Sequence, residues 1–219
     1  MMGRNVFLRD SFASASENML FDEEMFTKAQ GLTHDPGSSC QRFFRFYSWT
    51  QPSVTYCHKR GLPCDFTDID HSSRLTGGGL VFHSPGDLVF SCTSRIEDDF
   101  FPQKLKDKIS VISRAVRNAF ECFDIKLAAK PVNRLVDDIG FCKTYHNPFE
   151  LYDNNEKIVG LTLRKAKAAF LIQGIIHLQK SPEIFFRLPE KYHKYLSKGL
   201  TEDNLHIEAL TEQIFARLV

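Results

Sequence analysis

"RLTGGGLVFHSPGDLVFS", residues 74–91, contains three consecutive glycines between an arginine and a strand-like run. Glycine inside a strand forfeits side-chain packing and costs chain entropy, so three together indicate that another group approaches the backbone. No Gly-Lys-Ser/Thr follows, which excludes a Walker loop, and a strand rather than a helix follows, which excludes a Rossmann fingerprint. A β-bulge or sharp bend accounts for one or two of the glycines. We interpret the stretch as bare backbone against which an acyl chain or a phosphate lies.

The second half of this stretch predicts a hairpin. Apolar runs at 80–83 and 87–93 flank Ser84-Pro85-Gly86-Asp87, and Pro followed by Gly at the central positions is typical of a type II turn. A second hairpin is predicted within 148–164, with its turn at Asn154-Asn155.

Working outward, the remaining pattern alternates helices and strands. Ser14 and Glu17 form a capping box at the start of a helix that ends near Gly31. The other elements are strands at 42–49, 53–60 and 168–178, a helix at 109–123, and short helices from Ser181 onward that end with 207–218. This order predicts a single α+β domain over 1–219, with a mostly antiparallel sheet flanked by helices, which we place on one side.

The composition excludes several function classes. The 28 Lys and Arg residues nearly balance 27 Asp and Glu, giving a net charge of +1 that selects neither nucleic acid nor a membrane as partner. We find no membrane span and no signal-peptide core, so we expect a cytoplasmic protein. The six cysteines form no Cys-x-x-Cys pair. Cys57, Cys64 and His71 match no common zinc spacing, so we predict no metal site and free thiols in a reducing compartment.

The motif that runs from Arg74 through Thr76, Gly77, Gly78 and Gly79 to His83 resembles the glycine-rich motif of lipoate-protein ligases and octanoyltransferases. "ENMLFDEEM", "FRFYSWTQPSVT" and "EKIVGLTLR" resemble other conserved segments of that family in the expected order, over most of residues 15–180. Biotin ligases share the fold but carry a Gly-Arg-Gly-Arg motif that this chain lacks. The resemblance implies a biotin/lipoate protein ligase catalytic domain of the class II synthetase type.

The resemblance also implies an activity, which is transfer of a lipoyl or octanoyl group to a lysine of a carrier domain. In the ligases, lipoate or octanoate reacts with ATP and Mg²⁺ to give an acyl-adenylate, and the carrier amine then takes the acyl group. The implied partners are the small acyl substrate and a lipoyl domain, either of a 2-oxoacid dehydrogenase E2 or of the glycine-cleavage H protein. Two-domain ligases continue into an accessory domain that we expect to be absent here or supplied by a separate partner.

Residue roles follow from the same motifs. Lys157 matches the essential lysine, which holds an acyl carbonyl and a phosphate oxygen; without the family pattern it reads as a solvated strand-end lysine. The other residues that match the family motifs are implied to bind the substrate or the nucleotide: Arg74, Thr76, Gly77, Gly78, Gly79, His83 and Gly160. Arg74 alone would read as a surface arginine, and His83 as a histidine merely hydrogen-bonded in a strand.

Cys142 keeps a different mechanism open. It lies fifteen residues before Lys157, where one branch of octanoyltransferases has the cysteine that forms an acyl-thioester without ATP. The ordinary interpretation is an unreactive buried thiol, because many ligases also have cysteine there.

Departures from the ligase pattern leave a third alternative, a non-catalytic binder of lipoyl domains or acyl groups. Ser73 replaces the first of two paired arginines, and "His-Ser-Pro-Gly-Asp-Leu" is closer to the octanoyltransferases. Leu161 and Ile172-Gln173-Gly174-Ile175 replace polar family motifs, which suggests a more apolar reacting centre.

Overall fold

The computed structural model describes residues 4–31, 41–129, 147–200 and 205–219. Two sheets and three α-helices account for most of these ranges. The strands are β1 (Arg4–Ala13), β2 (Gln41–Trp49), β3 (Ser53–Cys57), β4 (Asp70–Arg74), β5 (Val81–His83), β6 (Leu88–Arg95), β7 (Leu151–Asp153), β8 (Glu156–Ala166) and β9 (Ala169–Ile176). The helices are α1 (Ala15–Gly31), α2 (Leu105–Glu121) and α3 (Ile207–Ala216), with short 3₁₀ helices at Cys64–Phe66, Glu183–Arg187 and Glu190–Tyr195.

The large sheet has six strands in the order β1-β2-β6-β9-β8-β7, and the small sheet has three in the order β4-β3-β5. Neighbouring strands are antiparallel except in the β1–β2 and β3–β4 pairs. The predicted α+β class with a mostly antiparallel sheet is therefore confirmed. Strands β1 and β4 were not predicted from the sequence.

The large sheet has helices on both faces. Alternate side chains such as Phe44 and Phe90 pack with α2 and α3 in the main core, whereas Tyr47 and Val89 pack against Met19 of α1. The prediction that helices lie on one side is wrong. The reason is visible in β2 and β9, whose side chains are buried at nearly every position, so that both faces need a cover.

The two predicted hairpins have different outcomes. The turn at 84–87 forms, with a hydrogen bond from the Asp87 N–H to the Ser84 carbonyl (3.0 Å) and Gly86 at φ +89°. Its flanking strands do not pair, however, because β5 joins β3 in the small sheet and β6 joins β2 and β9 in the large one. The predicted hairpin there is wrong, and the turn instead carries the chain between sheets. The β7–β8 hairpin is confirmed.

Helix α1 connects the two sheets. Its capping box forms as predicted, with the Ser14 N–H donating to Glu17 Oε2 at 2.9 Å. The Ala15 N–H donates to Asp70 Oδ2 of β4 at 2.9 Å, which ties the start of the helix to the small sheet. None of the described helices combines the length and apolar character needed to cross a bilayer.

Candidate active site

A pocket that is partly open to solvent lies between the two sheets beside α1. Its walls are mainly apolar. The lining residues that matter below are Met19 from α1; Tyr47, Trp49, Val89, Gly160, Thr162, Gln173 and Ile175 from the large sheet; and Thr55, Arg74, Val81 and His83 from the small sheet. The pocket thus brings together three of the predicted site residues, Arg74, His83 and Gly160.

Two of the three glycines after β4, Gly77 and Gly78, have different surroundings. Gly78 has φ +97°, a left-handed conformation that favours glycine. A Cβ added at Gly77 would meet no atom of the described residues within 4 Å, so these residues leave open space beside this position. Local conformation therefore explains Gly78, while open space at Gly77 fits the interpretation that something outside the chain lies there.

Arg74 shapes the glycine loop. It is 5% exposed, and its guanidinium donates to the carbonyl oxygens of Gly77 (3.0 Å) and Gly79 (2.5 Å) and to Thr55 Oγ1 (3.2 Å). The surface-arginine alternative is wrong. The positive charge stands next to the pocket, but its donors are directed at least in part to the chain's own loop.

A buried polar network holds the other end of the loop. The Thr76 hydroxyl donates to Gln173 Oε1 (2.6 Å), and Gln173 Nε2 donates to Asp22 of α1 (2.6 Å). Asp22 also accepts hydrogen bonds from Tyr47, Ser91 and Arg45. The expectation of an apolar replacement motif is thus wrong at Gln173, which is 6% exposed and links α1, the large sheet and the glycine loop.

His83 is a neutral, fixed histidine. Its Nε2 lies 2.7 Å from Thr55 Oγ1, and its ring centroid is 4.1 Å from that of Trp49. Burial lowers the pKa of His83 well below its ordinary value of 6.5, with further lowering from His177 and Arg74. His83 Nδ1 and Trp49 Nε1 are buried and have no hydrogen-bond partner among the described residues. Both residues line the pocket, and buried polar atoms without a partner are rare in proteins.

Lys157 is buried and paired. Its side chain is 3% exposed, and Nζ lies 2.8 Å from Oε2 of Glu150, itself 1% exposed. The solvated strand-end alternative is therefore wrong. Lys157 does not line the pocket; it precedes Gly160, which does, by three residues on β8.

Cys142 lies outside the described residues. Of the described cysteines, Cys57 and Cys92 are buried, Cys64 and Cys122 are exposed, and all four are free. Within the described ranges, no group of three or more His, Cys, Asp or Glu side chains could hold a metal, so Cys57, Cys64 and His71 do not form a site.

Glu150, Asp22 and Trp49 were not predicted as site residues from the sequence. A signal existed for Glu150, because the predicted turn at Asn154-Asn155 puts Tyr152 opposite Lys157 and puts Glu150 on the same face as Tyr152. Asp22 and Trp49 had no comparable signal, since their importance depends on contacts between distant elements.

Comparison with known proteins finds an octanoyltransferase and several lipoate-protein ligases. The octanoyltransferase LipM of Clostridioides difficile (strain 630) is 22% identical over 181 residues, which are 78% of this chain and 64% of that protein. The chain thus spans less than two-thirds of that relative's length. A structure of lipoate-protein ligase A bound with ATP superposes with a TM-score of 0.71 at 18% identity, covering 99% of this chain and 84% of the other.

A bi-partite lipoate protein ligase from Thermoplasma acidophilum, solved in a study of that enzyme and its E2 lipoyl domain, has a TM-score of 0.68 at 18% identity. The match covers 99% of this chain and 82% of that one. At these identities the likeness to solved structures shows the fold. The model of the lipoyl protein ligase A/B catalytic domain matches residues 14–213, nearly the whole chain. On that match, the chain belongs to the lipoyl protein ligase A/B catalytic domain family.

Proposed function

We propose that this protein joins a lipoyl or octanoyl group to a lysine of a lipoyl carrier domain, and that it activates the free acid with ATP. The observation that carries the proposal is the apolar pocket beside the glycine loop, together with the buried Lys157, which lies three residues before the pocket residue Gly160 on β8. An apolar chain gains free energy when it leaves water for such walls. The polar end of the acyl group then meets the few polar atoms of the pocket.

The activation step generates negative charge, and we assign its stabilisation to Lys157, the buried lysine three residues before Gly160 on β8. The carboxylate of the acid attacks the α-phosphate of ATP, the bond to pyrophosphate breaks, and an acyl-adenylate forms. The ammonium of Lys157 stabilises charge on the acyl and phosphate oxygens. Mg²⁺ bound to the nucleotide would offset part of the phosphate charge. The relative solved with bound ATP supports this choice of co-substrate.

The transfer step ends on the carrier. The carrier's lysine amine attacks the acyl carbonyl, an amide bond forms, and AMP leaves. The bi-partite relative and its E2 lipoyl domain support both a lipoyl domain as acceptor and a separate accessory subunit as a possible requirement.

A second candidate is transfer without ATP. It is favoured by the octanoyltransferase relative and by Arg74, whose guanidinium donates to the carbonyls of its own loop. In this mechanism the Cys142 thiolate takes the acyl group from a carrier thioester and releases the carrier thiol. The amine of the receiving lysine then attacks the enzyme thioester and releases the Cys142 thiolate.

Mass spectrometry of an apo-lipoyl domain separates the candidates. The domain is incubated with the protein and lipoate or octanoate, with and without ATP and Mg²⁺, and in parallel with an octanoyl carrier thioester. A ligase adds the acyl mass only with ATP, and Lys157→Ala removes the activity. Lys165→Ala is the matched control, because Lys165 is an exposed lysine on the same strand.

The other outcomes identify the alternatives. If the domain is acylated from the thioester without ATP, and if this activity is lost in Cys142→Ser but kept in Cys64→Ser, the result supports the transferase. Cys64→Ser is the control because Cys64 is an exposed, free thiol. An unchanged mass under every condition, also with an accessory subunit added, contradicts both enzymes and leaves a binding protein.

A further inference from the structure

Glu150 is a buried carboxylate beside the candidate catalytic lysine. Its Oε2 lies 2.8 Å from Lys157 Nζ, and it also accepts hydrogen bonds from the Tyr152 hydroxyl and the Asn147 N–H, both at 3.2 Å. Three donors therefore converge on one oxygen. Such convergence fixes the carboxylate's position and favours its ionised form.

A β-bulge determines which way Lys157 points. On β7, Leu151 pairs with Val159 and Tyr152 pairs with Lys157, so β8 carries one extra residue, Ile158. Ile158 and Val159 both pack in the core with α2. Since side chains alternate elsewhere along a strand, the bulge puts Lys157 on the face of Gly160, which lines the pocket. Without the extra residue, Lys157 would face the apolar core.

The turn that carries Glu150 is anchored on two sides. Asn147 Oδ1 accepts the Phe149 N–H (2.9 Å), and Asn147 Nδ2 donates to the Leu161 carbonyl of β8 (3.3 Å). The Ser113 hydroxyl of α2 donates to the Phe149 carbonyl at 2.6 Å. The carboxylate is therefore held by rigid elements before any substrate arrives.

The burial of the pair makes its charges interdependent. An isolated buried lysine tends to lose its proton, whereas an adjacent carboxylate favours the ammonium form. Burial raises the pKa of Glu150 above its ordinary value, while Lys157, Asn147 and Tyr152 lower it. Among the described residues, the groups that hydrogen-bond this carboxylate are Lys157 from β8, Tyr152 from β7 and the backbone N–H of Asn147.

We propose that Glu150 is the positioning residue of the acyl-transfer site, which keeps the Lys157 ammonium charged and directed along the pocket face of the sheet. This inference rests on the proposed function. Lys157 contacts the reacting oxygens, and Glu150 acts through it. The active state then requires Glu150 ionised and Lys157 protonated.

The test is the pH profile of acyl transfer in Glu150→Gln and Tyr152→Phe. In Glu150→Gln the lysine loses its counter-charge, so we expect the alkaline limb of kcat to move down by about 1 to 3 pH units. In Tyr152→Phe the carboxylate loses one donor, so its pKa rises and the acid limb moves up by less than about 1 unit. Asp153→Asn is the matched control, a half-buried carboxylate on the same hairpin, and leaves both limbs in place.

A measurement without substrate separates this inference from the proposed function. The Lys157 Nζ resonance, assigned by its loss in Lys157→Met, is followed against pH in ¹⁵N-lysine-labelled protein. A lower midpoint in Glu150→Gln supports the role of Glu150 even when the wild type transfers no acyl group. The inference is overturned if the wild type is active and the variants have the same pH-profile limbs and the same Nζ midpoint as the wild type. If Glu150→Gln does not fold, as judged by circular dichroism, the acid limb of Tyr152→Phe decides alone.

Discussion

The two faces of the large sheet are built from the same strands but have opposite character. Toward α2 and α3, side chains such as Phe90 and Ile172 form a continuous apolar core. Toward α1, their strand neighbours Val89 and Gln173 line a pocket beside a buried polar network. Alternation along a strand thus lets one sheet supply a packed core and a binding site without either intruding on the other.

The difference between the two faces predicts which property a substitution on each face will change. In the core face, side chains pack closely, and a Cβ added at Gly174 would lie 2.1 Å from Phe90 Cζ and overlap its ring. In the pocket face, a Cβ at Gly160 meets Ile175 Cγ2 at 3.3 Å, a distance that a small shift relieves. Substitutions on the first face are expected to change stability, and those on the second to change ligand binding.

The largest expected effect is a difference between two adjacent residues of β6, Phe90 on the core face and Val89 on the pocket face. Phe90→Ala is expected to lower the free energy of unfolding by about 3–5 kcal/mol, because it leaves a cavity in the core, and to leave the KM for acyl substrate unchanged. Val89→Ala is expected to cost about 1–2 kcal/mol and to raise that KM. Urea unfolding and acyl-transfer kinetics measure the two. Equal effects of both variants on KM would contradict the division between the faces.

The next effect concerns the polar network. Asp22→Asn is expected to lower the free energy of unfolding by about 2 kcal/mol, since it weakens several charge-assisted hydrogen bonds. It also loosens Gln173, and through it Thr76, so binding of octanoate weakens. Calorimetry of unfolding and of octanoate binding tests both. Glu23→Gln, at an exposed position of the same helix, is the control. A loss of stability with unchanged affinity would show that the network does not position the pocket.

A smaller effect is the pH dependence of stability from His83. The folded protein keeps this residue neutral, whereas the unfolded chain binds a proton below about pH 6.5. The unfolded state then holds more protons, so stability falls as pH decreases below that value, by up to about 1.4 kcal/mol per pH unit from this residue. Urea unfolding at pH 7.5 and 5.5 compares the wild type with His83→Gln. The variant is expected to lose less stability; an equal loss would mean that His83 is protonated in the folded protein.

The smallest stability effect is expected at Gly77. A Cβ there meets no atom of the part of the chain that the structure describes within 4 Å, so Gly77→Ala is expected to change the free energy of unfolding by less than about 0.5 kcal/mol. Acyl or nucleotide affinity falls in the variant if substrate lies on this backbone. Gly78→Ala is a poorer test because φ +97° strains any side chain there. Unchanged affinity in Gly77→Ala would place the substrate elsewhere.

The sequence predicted the local features and the family, but it did not predict how strands pair across the molecule. The capping box of α1, the type II turn and the hairpin at Asn154 depend on neighbouring residues and were read correctly. The partner of β5 was not, because a turn that links two sheets has the same sequence pattern as one that closes a hairpin. Strand β4, "DHSSR", was missed since it is short and polar and pairs only with β3.

The candidate site was predictable as a set of residues and not as a geometry. Arg74 and Lys157 were identified by motif, yet both were weighed against surface alternatives that burial contradicts. What Arg74 contacts depends on the shape of the glycine loop, and what Lys157 contacts depends on a one-residue bulge. Neither feature has a marker in the sequence beyond the residues themselves.

The central claim, that an acyl chain lies in the pocket between the sheets, can be tested with the chain's single tryptophan. Trp49 lines that pocket and is fully buried, so its fluorescence reports occupation directly. Titration with octanoate, in the presence of ATP and Mg²⁺, is expected to change the emission saturably, whereas acetate, which has the carboxylate without the tail, leaves it unchanged. An emission unaffected by octanoate, in a preparation that acylates a carrier domain, would show that the acyl chain binds elsewhere.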